Sequence, residues 1–261
     1  MNEFNVKSYW NSRLQNSFGL EAVGYIGLGK RFNEWMYRLR SSVFRNLIAE
    51  LQLKLPQLRV LDIGSGSGFY IAHWTKLGAK SIMGIDISTQ AVKNLSSQYP
   101  AATFVEADIS EVKIPGKFQV ISCMDVLFHV TDDHRWKQAL NNILEALDDN
   151  GVFIFSDNFL NGPEKRQAHH VSRSLSQYER TLKEAGFVIK KRIPAFYFLN
   201  YPVDSKSRML HFVWKGFLRF IPGRERLGYL CGLFFYGVDR ILLPFVKSGP
   251  STEIMVCEKR R

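Results

Sequence analysis

Two patterns of apolar and polar positions alternate along the middle of the chain. Runs that are apolar almost throughout are typical of strands buried on both faces of a sheet, and stretches with helical spacing separate them. The apolar runs are LRVLDI (58–63), KSIMGIDI (80–87), ATFVEAD (102–108), FQVISCM (118–124) and GVFIFSD (151–157). This alternation predicts stacked β-α-β units and a parallel sheet, so the fold class is α/β.

The helical stretches also show where they end. Apolar residues at helical spacing predict a helix over 132–148, ended by Asn150-Gly151. The stretch SLSQYERTLKEAGF predicts another helix that stops at Gly186, and the strand FVIKKRI follows it. Before the sheet, one face of a long helix is formed by Phe32, Trp35, Met36, Leu39, Val43 and Leu47. The pattern divides the chain into an N-terminal helical cap (1–54), an α/β core (55–194), an apolar and basic helical insertion (195–248) and the last strand of the core (249–261).

The insertion is the unusual segment. It contains LGYLCGLFFYGVDRILLPFV, which is nearly continuous in apolar residues. Asp239-Arg240 within it and Pro244 near its end make it a poor membrane span. A cap over a hydrophobic pocket is the favoured interpretation. The basic stretch KGFLRFIPGRER before it keeps an interfacial membrane helix as the alternative.

The charge and the cysteine content bear on the partners and the cellular location of the protein. The net charge is +11, and 14 Lys/Arg stand against 5 Asp/Glu between Asn161 and Arg226. Such an excess attracts phosphates, nucleic acid or an anionic membrane, or it is simply a solvated surface. The three cysteines form no CxxC pair and the first residues have no apolar signal region, so we expect a cytoplasmic protein, with membrane association left open.

The stretch VLDIGSGSGFY (60–70) places a glycine-rich turn after the first strand. Its glycines are spaced G-x-G-x-G, so the third comes one residue earlier than in the dinucleotide fingerprint G-x-G-x-x-G. Asp86 ends the second strand, where a carboxylate can accept ribose hydroxyls. Asp108 and Ile109 end the third, where they suit an adenine amino group and an apolar wall. No YxxxK pair serves hydride transfer, so the sequence favours a nucleotide-like cofactor other than a dinucleotide.

DIGSGSG, GIDIS, EADI and CMDVLFHV, in this order, resemble the motifs of class I S-adenosylmethionine-dependent methyltransferases. They look closest to the branch with ubiquinone-biosynthesis O-methyltransferases and antibiotic-sugar methyltransferases, over roughly residues 55–195. The resemblance implies a Rossmann-like seven-stranded sheet whose last strand, STEIMVCEK, is antiparallel. It also implies that S-adenosylmethionine is the cofactor.

The resemblance assigns cofactor contacts to individual positions. The turn Asp62–Gly68 would approach the methionine part and ribose, Asp86 would take the ribose hydroxyls, and the backbone near Cys123–Met124 would meet the amino group. Arg38 is the candidate for the cofactor carboxylate, with Arg40 in reserve. The cofactor-binding candidates are therefore Asp62, Gly64, Ser65, Gly66, Gly68, Asp86, Ile87, Asp108, Ile109, Met124 and Arg38.

Catalysis of methyl transfer to a hydroxyl needs alignment and a base. His129 and Asp125 follow the fourth strand, and a histidine titrates near neutrality, so His129 is the candidate base. The alternative for His129 is a structural role in ordering its loop. A rival set, Asp125, Asp157 and Asn158, resembles the Mg²⁺ ligands of catechol-type O-methyltransferases. His169-His170 is expected to be a solvated pair at a helix start.

A small-molecule, sugar or lipid-linked acceptor is the favoured partner. The chain has no consecutive proline pair, so it lacks the loop of nucleic-acid amino-methyltransferases, and we expect no nucleic-acid partner. The leading hypothesis is an O-directed methyltransferase. A non-catalytic fold relative that binds a membrane or a protein through 195–248 is the alternative from a different class, and a dehydrogenase is a distant third.

Overall fold

The computed structural model describes residues 5–260. The α-helices are α1 (Val6–Asn16), α2 (Leu20–Val23), α3 (Gly29–Glu50), α4 (Phe69–Lys76), α5 (Thr89–Gln98), α6 (Asp133–Ala146), α7 (Leu175–Ala185), α8 (Arg208–Phe220) and α9 (Glu225–Leu242). The strands are β1 (Arg59–Ile63), β2 (Ser81–Asp86), β3 (Thr103–Glu106), β4 (Phe118–Met124), β5 (Leu147–Asp157), β6 (Lys165–Gln167), β7 (His170–Ser172), β8 (Phe187–Pro194) and β9 (Glu253–Lys259). The expected alternation of strands and helices is present.

Seven of these strands form one sheet in the order β3-β2-β1-β4-β5-β9-β8. Strand β1 pairs in parallel with β2 and β4, and this places Asp62 between Gly84 and Ser122. The last strand is antiparallel: the Ala195 N–H donates to the Thr252 carbonyl near one end, and the Arg260 N–H donates to the Gly186 carbonyl near the other. The α/β class and the antiparallel last strand are therefore confirmed.

The core of the α/β region lies between this sheet and helices α6 and α7. Trp136 and Tyr178 are fully buried and meet edge to face with ring centroids 5.0 Å apart. Phe153 and Phe155 of β5 stack at 4.7 Å. Burial of these large aromatic side chains between the sheet and the two helices is the main stabilising contribution expected for such a layer.

The boundary between α6 and β5 differs from the prediction. The helix ends at Ala146 rather than near Asp148, and β5 begins at Leu147 rather than at Gly151. Leu147 is fully buried and pairs with Phe118, and the register shifts before Val152 pairs with Val120. Burial of Leu147 in the sheet outweighs its helical spacing, so the strand takes this residue.

Contacts group the chain into two compact units. The first comprises the described residues up to Asn16, Lys54–Lys191 and the described residues from Ile254 onward, and the second comprises Ser17–Leu53 and Arg192–Glu253. The proposed division at 54, 194 and 248 stays a prediction from sequence. Residues 1–4 and 261, which fall in its first and last segments, lie outside the described residues.

In the second unit, α9 packs on the long helix α3. Five of the six residues predicted for the apolar face of α3 are buried, among them Phe32, Trp35 and Leu39, and the sixth, Val43, is half-buried. A Cβ added at Gly232 would lie 2.9 Å from Trp35 Cδ1, so glycine permits the close approach. Among the described residues, one helical stretch, Glu225–Phe245, is long and apolar enough to cross a membrane.

Candidate active site

The glycine turn follows β1 in the first unit and adopts a conformation that favours glycine. Gly64, Gly66 and Gly68 have φ angles of 70°, 52° and 83°. The Gly64 N–H donates to the Ile85 carbonyl (2.7 Å), which fixes the turn to the end of β2. A Cβ at Gly64 would come 2.2 Å from Val126 Cγ2, so the turn also lies against the loop after β4.

We expect Gly64→Ala to destabilise the first unit by more than its backbone strain alone. A left-handed φ costs a non-glycine residue about 1–2 kcal/mol, and the contact with Val126 adds to this cost. Gly78→Ala is the matched control, because Gly78 has φ 78° but nothing within 4 Å of an added Cβ. The free energy of unfolding should fall further for Gly64→Ala, and Val126→Ala should restore part of the difference. Equal losses at Gly64 and Gly78 would contradict the steric explanation.

Asp86 ties the turn to β2. Its carboxylate accepts the Gly66 N–H (2.8 Å) and the Ser88 N–H (2.8 Å). Burial raises the pKa of Asp86 above its usual range, and the two N–H donors oppose that rise. The carboxylate thus lies at the carboxyl end of β2 beside the turn, where the sequence placed it. Its contact with ribose hydroxyls stays a prediction.

Asp62 is more deeply buried than its place in the motif suggests. Its Oδ1 accepts the Ser122 hydroxyl (2.6 Å), and that hydroxyl accepts the Trp74 indole N–H (3.0 Å). Burial is the main cause that raises the pKa of Asp62 to about 7. Ser65 donates its hydroxyl to the Asp62 carbonyl (3.1 Å). Among the described residues, the side chain of Asp62 is therefore bonded to Ser122 of β4, and its carbonyl is bonded to Ser65 of the turn.

Asp108 has protein partners that the sequence did not reveal. One carboxylate oxygen accepts the Ser110 N–H (2.8 Å) and hydroxyl (2.6 Å), and the other accepts from Arg135 (2.8 Å). Ile109 is buried in the apolar core, whereas Ile87 is half-buried. The roles of these three positions toward adenine stay predictions. Arg135 lies in α6, and nothing in the local sequence pattern pairs it with Asp108.

The loop after β4 begins in a strained conformation. Met124 is buried at the end of the strand, and Asp125 follows it with φ 60°. The Ser156 hydroxyl accepts the Asp125 N–H (2.9 Å) and donates to its Oδ1 (2.6 Å), which holds this conformation. Residues in the left-handed region cost energy and cluster at functional sites. A 3₁₀ turn, Leu127–His129, then presents the candidate base.

His129 has a defined tautomer. Its Nδ1 lies 2.8 Å from the His169 carbonyl oxygen, which can only accept, so Nδ1 carries the proton and Nε2 has the free lone pair. Burial lowers the pKa of His129 to about 4, so the imidazole is neutral at pH 7. The indole of Trp10 meets the imidazole edge to face at 5.1 Å. This arrangement supports a proton acceptor at Nε2.

Near this loop, one expectation from the sequence was wrong and two aromatic residues were not predicted. His169-His170 is not at a helix start: His170 opens strand β7, and both residues are half-buried in the hairpin with β6. Trp10 and Tyr9 in α1 were missed, although Tyr9 lies 6.2 Å from the His169 ring. Aromatic residues in an otherwise polar helix were the available signal.

The proposed metal ligands have partners within the protein. The Asp157 carboxylate is fully buried and accepts the Tyr178 hydroxyl and the Asn158 N–H (2.6 Å). Burial raises the pKa of Asp157 to about 7. The Asn158 amide donates to Ser172 (3.2 Å). No group of three or more His, Cys, Asp or Glu side chains is placed to hold a metal ion among residues 5–260.

Arg38 lies in the second unit. Its guanidinium stacks 4.4 Å from the Trp35 ring, and its role toward a cofactor carboxylate stays a prediction. Arg40, the reserve candidate, is buried and stacks over Phe196 at 4.8 Å. Arg40 is therefore not an exposed charge on the helix surface.

Comparison with known proteins finds a family that matches part of the α/β core. The family described as "Methyltransferase domain" matches residues 60–151, which contain the glycine turn, Asp86, Asp108, Asp125 and His129. Residues 60–151 are therefore similar to a methyltransferase domain. The resemblance to class I S-adenosylmethionine-dependent methyltransferases is thus confirmed for this part of the chain.

Individual methyltransferases are also similar in sequence to this chain. The chain is 30% identical over 165 residues to the mRNA cap guanine-N(7) methyltransferase of Schizosaccharomyces pombe, covering 57% of this chain and 44% of that protein. It is 28% identical over 106 residues to a ubiquinone biosynthesis O-methyltransferase of Colwellia psychrerythraea, covering 38% and 41%. The chain spans less than half the length of these curated relatives.

A solved structure shares the fold. Magnesium protoporphyrin IX methyltransferase from Synechocystis PCC 6803, crystallised with bound S-adenosylmethionine, superposes with a TM-score of 0.56 at 22% identity. The match covers 72% of this chain and 86% of that one. The residues of this region fit such a cofactor, because Asp86 lies beside the glycine turn. Each of its carboxylate oxygens accepts one backbone N–H and keeps a second lone pair that could accept a ribose hydroxyl.

Proposed function

We propose that this protein transfers a methyl group from S-adenosylmethionine to a hydroxyl of a small or hydrophobic acceptor, with His129 as the base. The observation that carries the proposal is the fixed tautomer of His129, whose Nδ1 proton is held by the His169 carbonyl at 2.8 Å. When bound, S-adenosylmethionine supplies an electrophilic methyl carbon on a sulfonium. The residues proposed to hold it are the turn Gly64–Gly68, Asp86, and Asp108 with Ile109.

The chain would then need to position an acceptor and take up its proton. Val126, which adjoins Gly64, lies three residues before His129, so the turn and the base belong to one local structure. Asp125 is proposed as a positioning residue, because its link to Ser156 fixes the start of the loop that carries His129. Trp10 and Phe128 flank the imidazole, with ring centroids 5.1 and 4.4 Å away, and keep the base in apolar surroundings.

The lowered pKa of His129 bears on the class of acceptor. A base whose conjugate acid has a pKa of about 4 accepts protons weakly. Proton transfer is efficient when donor and acceptor pKa values are close, so an acidic hydroxyl such as a phenol or an enol suits this site better than an alcohol. We therefore propose a phenolic or enolic acceptor ahead of a sugar hydroxyl.

A methyl-transfer assay tests the proposal. Purified protein with S-adenosylmethionine labelled in the methyl carbon is offered matched phenols, alcohols and amines, and the labelled products are identified by mass spectrometry. We expect O-methylated phenols as products. Labelled amines without labelled phenols would replace the O-directed proposal by an N-directed one.

We expect EDTA to leave turnover unchanged. The carboxylate oxygens of Asp157 already accept from Tyr178 and Asn158, so Mg²⁺ would have to displace buried hydrogen bonds. The measurement is initial rate after dialysis against EDTA, with and without added Mg²⁺. Loss of activity that Mg²⁺ restores would favour the metal-assisted alternative through Asp125, Asp157 and Asn158.

A further inference from the structure

Helix α8 exposes an apolar stripe along its length. Met209, Phe212, Val213 and Phe220 are exposed and follow one another at spacings of three, one and seven residues, which places them on one side of the helix. Phe212 is 77% exposed. The opposite side is buried at Trp214, whose ring meets Phe32 of α3 at 6.3 Å. The helix is thus apolar on both its packed and its exposed side.

Helix α9 repeats this arrangement. Its packed side carries Gly228, Gly232 and the buried Asp239. The opposite side exposes Leu227, Leu230, Phe234 and Ile241, of which Phe234 is 65% exposed. The two helices contact each other through Phe217 and Phe235, with ring centroids 5.1 Å apart. Contiguous exposed apolar side chains of this size mark an interaction surface in soluble proteins.

The charge around these faces is almost entirely positive. Residues 205–248 contain two carboxylates, and both are held by backbone N–H groups of the second unit. Glu225 accepts from Lys30 and Arg31, and Asp239 accepts from Tyr197, Phe198 and Leu199. All eight basic residues of this segment are exposed and have no ion pair among the described contacts. Arg224 donates to the Phe220 carbonyl and Arg240 to the Ser42 hydroxyl; the other six are Lys206, Arg208, Lys215, Arg219, Arg226 and Lys247. Arg208, Lys215 and Arg219 follow one edge of the α8 stripe.

We propose that the exposed faces of α8 and α9 form a docking surface for an anionic phospholipid membrane. The apolar side chains would enter the acyl boundary while the basic border meets the headgroups, which is the pattern of interfacial helices. A second copy of the chain fits this surface poorly, because two copies would bring their basic borders together. The proposal is independent of the methyl-transfer chemistry.

The helices lie on the membrane rather than cross it. Helix α8 has 13 residues and is about 20 Å long, which is shorter than the roughly 30 Å hydrocarbon core. Helix α9 is long enough, but Asp239 would have to leave its three backbone partners and enter lipid. Its glycines also pack against Leu28 and Trp35. Both helices therefore stay attached to the second unit.

Cosedimentation of the full chain with vesicles tests this surface. We expect binding to vesicles of phosphatidylcholine mixed with phosphatidylglycerol, weak binding to phosphatidylcholine alone, and release by salt. Phe212→Glu/Phe234→Glu should lower the partition coefficient by about ten-fold or more for each ring lost. Lys215→Glu/Arg219→Glu should lower it by about five-fold for each basic charge lost.

Matched controls lie on exposed positions of the first unit. Val188→Glu removes an exposed apolar residue, and Lys76→Glu/Lys93→Glu reverses two exposed charges; both should bind as the unaltered chain does. Thermal melts confirm that each variant is folded. Failure of the unaltered chain to bind anionic vesicles overturns the proposal. A second outcome also overturns it. In that outcome the unaltered chain does not bind vesicles, light scattering shows that it is a dimer, and Phe212→Glu/Phe234→Glu dissociates the dimer.

Discussion

Replacement of His129 by alanine is expected to lower kcat by about 10²–10⁴-fold, the usual contribution of a positioned general base. The affinity for S-adenosylmethionine should be unchanged, because none of the expected cofactor residues is His129 and most of them lie at the ends of β1, β2 and β3. The measurements are steady-state kinetics with a phenolic acceptor and calorimetric titration of the cofactor. A fall in kcat without a change in cofactor binding identifies a group that acts on the acceptor.

The control for this variant is His134→Ala. His134 is exposed on α6 in the same unit, so its loss removes an imidazole without touching the loop after β4. It should turn over as the unaltered protein does. If His129→Ala retains full kcat, the imidazole serves only to order the loop through the His169 carbonyl.

The acid side of the pH profile gives a second readout for His129. Its base form persists down to a pKa of about 4, so kcat should stay level as pH falls through 6.5 and decline only near pH 4. The contribution of His129 to stability follows from the same pKa. Its folded pKa lies below the unfolded value of about 6.5, so this contribution is present above pH 6.5 and is lost as pH falls toward 4. Titration of the His129 imidazole near pH 6.5, followed by its own NMR signal, would contradict an imidazole that is neutral at pH 7.

The sheet could be predicted from sequence because buried parallel strands leave long apolar runs. The runs at 58–63 and 118–124 became β1 and β4 almost residue for residue. The short strands β6 and β7 were missed, since Lys165–Gln167 is exposed and carries no apolar signal. The end of α6 was misplaced because Leu147 satisfies a helical pattern and a strand pairing equally well, and only burial against Phe118 decides between them.

The site was predictable where the backbone dictates the residue type. The glycines of the turn and the carboxylate of Asp86 are tied to strand ends, so spacing alone located them. Contacts between distant segments could not be predicted from the sequence. Three contacts join side chains far apart in sequence: Trp10 with His129, Arg135 with Asp108, and Tyr178 with Asp157. A single sequence carries periodicity, which is local, but it does not carry such pairings.

Asp86→Ala is expected to raise the Kd for S-adenosylmethionine by about 100-fold or more. Hydrogen bonds to a charged group contribute about 1.5–3 kcal/mol each, and two ribose hydroxyls would lose their shared acceptor. The turn would also lose its anchor, since the Gly66 and Ser88 N–H groups both donate to this carboxylate. The measurement is calorimetric titration of the cofactor into variant and unaltered protein.

Two further variants separate binding from folding. Asp149→Ala removes an exposed carboxylate at the far end of β5 and should leave Kd unchanged. Asp86→Asn keeps one acceptor oxygen for a turn N–H but removes the charge, so we expect a melting temperature above that of Asp86→Ala with cofactor affinity still reduced. If the unaltered chain binds no S-adenosylmethionine, the chain is a non-catalytic relative of the family, because every proposed step depends on that complex. If it binds, and Asp86→Ala binds equally well, the ribose lies elsewhere and the carboxylate serves only to hold the glycine turn.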